Sequence, residues 1–231
     1  MIKALKPVGS LLRPLFSERT WHTMGEYIGL GSSKKTASLC DTASLGQFIN
    51  SRASHVAQTT LYGYLRTRSG TRFPELFEHP DMLASINIAK WHVWLACLSD
   101  LCVFCGQLLR QAGGTQQVVH QQMTQVLSQV LEDTGTPEEA GRDFTRAKEK
   151  VIQRINTCDW SIQRDDDTVF SESPVALVYW SPIAHELKQR DEEIVLNSIR
   201  FRWIEVRRDT RRLLDVTAFT GHTAAEAKDS D

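Results

Sequence analysis

The sequence feature that most constrains the fold is a long apolar run between Pro80 and the glycine pair Gly113 and Gly114. Proline is favoured in the first turn of a helix and glycine just beyond its end, so these residues predict a helix over 80–112. The second half of this helix is apolar almost all the way round. A helix of that kind belongs inside a protein, with other helices packed on every side. The run therefore predicts the central helix of a bundle.

A membrane span is the alternative that this run raises, and its length and polar residues argue against it. The longest apolar stretch, Val93–Leu109, contains Asp100 and Gln107, whereas a span needs about 20 apolar residues. No small-residue cleavage site follows the apolar residues of the N-terminal segment, so that segment does not match a secretory signal. We expect a soluble, cytoplasmic protein, and we keep peripheral attachment to the inner face of a membrane as a further hypothesis.

Apolar residues at helical spacing predict four more helices around the central one. Their approximate ranges are 41–69, 115–133, 137–157 and 182–216. Strand signals are nearly absent, because the one candidate, Val175–Trp180, follows a Ser-Pro pair that suits a helix start better. The patterns together predict an all-α fold, a single-domain bundle or array of about six helices over 41–217. Residues 1–40 are predicted to form a basic leader and linker, and 218–231 a disordered tail.

Two local patterns complete the helix predictions. Thr136 and Glu139 flank Pro137 in the order of a capping box, so we expect a helix to begin at Pro137. Residues 161–173 carry three consecutive aspartates and no helical periodicity, so we expect a surface loop there.

Asp100 is the only charged residue between Lys90 and Arg110, in the middle of the apolar helix. A buried carboxylate requires a cation or several hydrogen-bond donors, since otherwise it becomes protonated. One interpretation is a structural ion pair, with an arginine of the last helix as the expected partner. The other is a polar functional centre inside the bundle.

The cysteines indicate buried, reduced thiols. The chain has five cysteines, an odd number that does not make a disulfide framework. Cys102 and Cys105 have the spacing of a redox pair, but that motif opens a helix after a strand. Here both lie deep within the predicted central helix, so core packing is the better interpretation.

The sequence does not assemble a catalytic or metal motif. His185 is followed four residues later by Gln189, so the paired histidines of a helical zinc site are missing. The chain has no G-x-S-x-G sequence, the turn that carries the nucleophile of many esterases. We therefore expect no metal and no cofactor.

Two basic regions are candidates for docking on a partner. Arg200, Arg207 and Arg211 fall on one side of the last predicted helix, about 90° from its apolar stripe. The N-terminal segment interleaves apolar residues with Lys3, Lys6 and Arg13, a pattern typical of segments that lie on anionic membranes. A solvated charged flank and an unfolded leader are the alternatives.

The formal net charge of the whole chain is −1, so we expect no DNA partner, and an RNA partner is disfavoured.

Three stretches resemble an uncharacterised family of small helical bacterial proteins that often carry an esterase label. They are AQTTLYGYLRTRSGTRFPELF, NIAKWHVWLACLSDL and DEEIVLNSIRFRWIEVR, and the similarity covers about residues 45–215. The resemblance implies a helical fold and brings no catalytic motif. A more general likeness in helical pattern links the chain to the ubiquinol–cytochrome c chaperone family.

Two classes of function follow from these patterns. The first is a non-enzymatic accessory or assembly protein that docks on a protein complex or an anionic membrane surface. The second is a small esterase-like hydrolase, or another enzyme, with a polar pocket around Asp100, His92 and His55. His92 lies eight residues before Asp100, about 80° away around the helix, so these two side chains could share a pocket. We favour the first class because the spacing supplies no nucleophile with its base.

Overall fold

The computed structural model describes residues 38–162 and 166–221. Six helices of at least nine residues and two short ones follow one another in this part of the chain. The long ones are α1 (Thr42–Ser69), α2 (Pro80–Gln111), α3 (Gln116–Thr134), α4 (Phe144–Asn156), α6 (Glu172–Trp180) and α7 (His185–Leu213). The short ones are α5 (Asp166–Val169) and α8 (Val216–Thr220). The predicted all-α fold is confirmed.

Helix α2 is the centre of the bundle, as its apolar sequence predicts. It packs against α1, α3, α4 and α6, and its residues from Val93 to Gln107 are all buried. By length and composition α2 could cross a membrane, but 94% of its most apolar window is buried inside the protein. Such burial is typical of the core helix of a bundle.

Local capping explains where α1 begins and ends. The Asp41 carboxylate accepts a hydrogen bond from the Ser44 backbone N–H at 2.7 Å, and the Ser44 hydroxyl lies within bonding distance of the Asp41 N–H. Gly70 ends the helix with a φ of +56°, a conformation that glycine adopts without steric cost. A 3-10 helix over Gly70–Phe77 then leads into α2.

The helix predicted to begin at Pro137 begins instead at Phe144. Only a short 3-10 turn, Glu138–Ala140, follows Pro137, and Gly141 breaks the chain direction with a φ of +80°. The Glu139 carboxylate does not complete a capping box. It accepts hydrogen bonds from Lys90 and Trp91 of α2, at 2.9 and 3.3 Å. A tertiary contact therefore replaces the local cap.

Helix α7 is shorter at both ends than the predicted helix over 182–216. It begins at His185 and ends where Leu214 turns into extended backbone and pairs with Leu39. The Leu39 N–H donates to the Leu213 carbonyl at 2.8 Å, and the Asp215 N–H donates to the Leu39 carbonyl at 3.0 Å. These two bonds join the beginning of the described chain to the end of α7.

Two segments predicted to be irregular carry helix and core. Within the loop predicted over 161–173, α5 is helical and Val169 and Phe170 are buried. Phe219 of α8 is also buried, so the folded part continues past the predicted boundary at residue 217. The rest of the predicted tail, 222–231, and the leader and linker over 1–37 lie outside the described residues.

Candidate functional site

Asp100 lies in the interior of the bundle and is fully buried. Its carboxylate accepts hydrogen bonds from the Arg154 guanidinium at 2.7 Å, from the Glu172 N–H at 3.2 Å and from the Ser173 N–H at 2.8 Å. Glu172 and Ser173 are the first two residues of α6. The third is Pro174, which has no N–H to satisfy. Asp100 of α2 therefore caps α6, where the helix dipole also favours a negative charge.

Arg154 connects α4 to α2, because its guanidinium donates to the Asp100 carboxylate. The same Nη1 atom reaches the Ser99 hydroxyl at 2.8 Å, and Nη2 donates to the Val169 carbonyl at 3.2 Å. The predicted buried ion pair is thus present, but its cation belongs to α4 and not to the last helix. The last helix contributes Trp203, whose indole N–H donates to the Ser173 hydroxyl at 3.0 Å.

These side chains form one network, Asp100, Arg154, Ser173 and Trp203, that joins α2, α4, α6 and α7. Burial raises the pKa of Asp100, and the Arg154 charge and the Ser173 hydrogen bonds oppose that rise. Both carboxylate oxygens of Asp100 accept hydrogen bonds from donors on other helices. A buried carboxylate that is hydrogen-bonded in this way has a structural role, because its bonds connect the helices.

His92 lies on the same helix and lines an open cleft beside this network. Only 3% of the residue is exposed, and its ring stacks on Trp180 with 3.6 Å between ring centroids. Burial lowers the pKa of His92, although Asp143 and a hydrogen bond with the Ala140 backbone oppose the change. Ser99 and Arg154 line the same cleft, so His92 and the Asp100 network meet at its wall.

His55 is not part of that cleft. It lies on α1, and the charges that act on it belong to Arg52 of α1 and to Arg202 and Glu205 of α7. Burial is the largest cause that lowers its pKa, followed by the two arginines. The structure therefore brings Asp100 and His92 near one cleft and places His55 at a different helix interface.

The three arginines singled out on the last helix lie on or beside an exposed surface. Arg200 and Arg211 are exposed, and Arg207 is half-buried. The Arg207 and Arg211 guanidinium groups lie over the rings of Phe170 and Phe104, at 6.0 and 5.2 Å from the centroids. Lys3, Lys6 and Arg13, the other predicted docking residues, lie outside the described residues.

Sequence reasoning missed the exposed apolar residues that accompany these arginines. Five of the six large apolar side chains that are exposed in the described part of the chain belong to α6 or α7. They are Val175, Tyr179, Ile194, Phe201 and Ile204. The signal available in the sequence was that Ile194, Phe201 and Ile204 fall opposite the apolar stripe that includes Val195, Ile199 and Trp203.

The cysteines and the acidic residues do not form a reactive or metal-binding centre in the described residues. Cys97, Cys102 and Cys105 are buried free thiols, and burial raises the pKa of Cys102 to about 12. A thiol of that kind is unreactive because the thiolate is the nucleophile. Within residues 38–162 and 166–221, no three His, Cys, Asp or Glu side chains are grouped closely enough to hold a metal ion.

Comparison of the chain with protein-family models, with curated proteins and with solved structures found no match. The resemblance to helical bacterial proteins that carry an esterase label stays a hypothesis.

Proposed function

We propose that the protein is a non-enzymatic accessory or assembly factor that binds an acidic amphipathic helix of another protein. The binding surface in this proposal is the α6–α7 face, which we define as Val175, Ile194, Phe201, Ile204 and four arginines of α7, Arg200, Arg207, Arg208 and Arg211. The observation that carries the proposal is the exposure of its apolar side chains. Phe201 is 71% exposed, Ile194 72% and Val175 64%.

The shape of this face supports a helix as the ligand. A groove of about 790 Å³ runs between α6 and α7, and Val175, Phe201 and Ile204 line it together with Arg200 and Arg207. Amphipathic helices bind to such grooves through apolar residues spaced three or four apart. Single exposed apolar side chains are ordinary, but contiguous apolar patches are uncommon on monomeric proteins and mark interaction sites.

The charge of this face supports an acidic partner. Residues 200–212 contain six arginines and two acids, a net charge of +4. One of the acids, Asp209, is buried and bonded to Arg52 and to Arg212, in both cases at 3.1 Å. Glu205 is therefore the one exposed acid of residues 200–212. Arginine and aromatic side chains are enriched at the centres of protein interfaces, where lysine is depleted. This composition favours a protein over a membrane.

A photocrosslinking experiment tests the proposal. A photoreactive phenylalanine analogue would replace Phe201 in the native host, and a matched variant would carry it at Gln125, an exposed position on α3. We expect a crosslink from position 201 that is absent from position 125, and the crosslinked segment of the partner should be an acidic amphipathic helix.

The partner identified in this way would then be purified and its affinity measured. Arg200→Glu with Arg208→Glu should weaken binding by roughly tenfold or more and reduce its dependence on salt. Arg142→Glu, a change at an exposed position in the turn before α4, serves as the control and should have no effect. Crosslinks to lipid, or a partner that binds the charge-reversed variant as tightly as the wild type, would refute the proposal.

A further inference from the structure

A second candidate binding site is the cleft between α2, α4 and α6, which shares Val175 with the groove between α6 and α7. The cleft has a volume of about 480 Å³, within the range of sites that hold small organic molecules. Its floor is apolar and consists of Leu95, Ala96, Ala147, Val151 and Ala176, whereas Val175 lies at its exposed rim. An apolar floor with a few polar groups around it is the usual composition of a ligand site.

His92 supplies a buried polar atom that has no partner. One nitrogen of its ring is hydrogen-bonded to the Ala140 backbone, and the other, Nε2, is buried without a partner in the described part of the chain. Because a backbone carbonyl accepts, the proton lies on Nδ1, and Nε2 is left as an acceptor. A buried acceptor without a donor is costly, so a group that donates to it would be bound favourably.

Helix α4 presents a row of cations to the same cleft. Arg146, Lys150 and Arg154 recur at intervals of four residues and all line it. Arg154 is held by Asp100, whereas Arg146 and Lys150 form no ion pair with any described residue. Like charges four residues apart destabilise a helix, so this arrangement favours an anion nearby. Asp143 and Glu172 also line the cleft and equal Arg146 and Lys150 in number, but neither carboxylate forms an ion pair with them.

We infer that this cleft binds a small organic carboxylate whose apolar body carries a hydroxyl or N–H donor. The carboxylate would lie against Arg146 and Lys150, the apolar body on the floor, and the donor would bond to His92 Nε2. Val175 lines both this cleft and the groove of the α6–α7 face. The inference is nevertheless independent of that face, because the polar groups that it uses, His92, Arg146 and Lys150, belong to α2 and α4. It adds a small-molecule site to a protein that we otherwise describe as a docking factor.

Three matched compounds test the inference by calorimetry on the full chain. They are 3-(4-hydroxyphenyl)propanoate, 3-phenylpropanoate, which lacks the donor, and 3-(4-hydroxyphenyl)propanamide, which lacks the charge. We expect the hydroxylated acid to bind with an affinity roughly tenfold above that of either analogue, since each analogue leaves one polar group of the cleft without a partner.

Variants of the cleft connect that preference to named residues. His92→Asn keeps a donor toward the Ala140 carbonyl and removes the Nε2 acceptor, so it should abolish the preference for the hydroxyl group. Arg146→Gln with Lys150→Gln should abolish the preference for the carboxylate. Lys148→Gln, on another side of α4, should change neither preference.

Two results would overturn the inference. The first is the absence of saturable binding by all three compounds at millimolar concentrations. The second is binding whose preferences survive both the His92→Asn variant and the paired Gln variant, because the ligand would then lie elsewhere. Nuclear magnetic resonance of the His92 ring nitrogens gives an independent readout, since a bond to Nε2 shifts its resonance.

Discussion

At the scale of single residues, the sequence predicts that Asp100 is buried and requires a cation or several donors, but it points to the wrong helix for the cation. A lone acid in an apolar helix requires a partner whatever the fold. The partner, Arg154, belongs to a helix whose sequence is amphipathic and mostly exposed, so nothing in its own neighbourhood marks it. The packing of the whole chain decides which helices become neighbours, and local sequence patterns do not predict it.

Removing either partner of the buried pair should destabilise the protein strongly. We expect Asp100→Ala and Arg154→Ala each to lower the free energy of unfolding by about 3–5 kcal/mol, because each leaves a buried charge uncompensated. The double variant should lose less than the sum of the two single losses. Urea denaturation of the four proteins measures this, and additive losses would show that the two side chains do not interact.

At the scale of helices, periodicity and Gly or Pro boundaries locate α1, α2 and α3 closely, and long-range contacts explain the errors. α4 begins late because Glu139 bonds to Lys90 and Trp91, and α7 ends early because Leu214 pairs with Leu39. In both cases, groups that the local pattern places in helical or capping hydrogen bonds bond instead to residues distant in the sequence.

Close helix packing predicts opposite effects of alanine at two helical glycines. A Cβ at Gly106 of α2 would lie 2.3 Å from a ring carbon of Trp160, whereas one at Gly63 of α1 would meet nothing within 4 Å. We expect Gly106→Ala to destabilise by about 1–3 kcal/mol through overpacking. Gly63→Ala should stabilise by roughly 0.5–1 kcal/mol through helix propensity. Thermal unfolding compares them, and stabilisation by both variants would contradict the packing of α2 on Trp160.

At the scale of the whole molecule, the bundle buries His92 and half-buries His55, and the pKa values of both are lowered. For His55 and His92 burial is the largest cause. The ordinary pKa of a histidine is 6.5, and in the folded state the pKa of each of these two is lower. Each histidine therefore contributes its full stabilisation at a pH above 6.5, where it is neutral in the folded and the unfolded chain. The stabilisation is lost as the pH falls through the folded pKa, because the unfolded chain then binds more protons.

The pH dependence of stability should therefore change when His92 is replaced. We expect His92→Asn to lose less free energy of unfolding than the wild type between about pH 7 and about pH 5. Urea denaturation at the two pH values measures both losses, and the difference isolates His92 from the carboxylates that titrate over the same interval. An equal loss in the two proteins would mean that His92 titrates alike in the folded and unfolded states.

The same scale includes the α6–α7 face, and here the sequence gives only part of the surface. Arg200, Arg207 and Arg211 form a basic flank in the sequence, and helical spacing places Phe201 and Ile204 opposite the apolar stripe of α7. The spacing does not show whether another helix covers that side, and the packing of α7 leaves the two side chains 71% and 50% exposed. Position in the fold, and not residue type, makes them candidates for binding.

The most direct test of this docking surface is the affinity of the purified partner for Phe201→Ser, measured beside its unfolding free energy. The matched control is Ile162→Ser, since Ile162 is also exposed, at 51%, but lies outside the α6–α7 face. We predict that Phe201→Ser loses affinity by roughly tenfold or more, as expected for an aromatic residue at the centre of an interface, while the stability stays within about 0.5 kcal/mol of the wild type. Ile162→Ser should change neither quantity. Unchanged affinity in Phe201→Ser, or a loss of stability typical of a core residue, would contradict a docking role for this face.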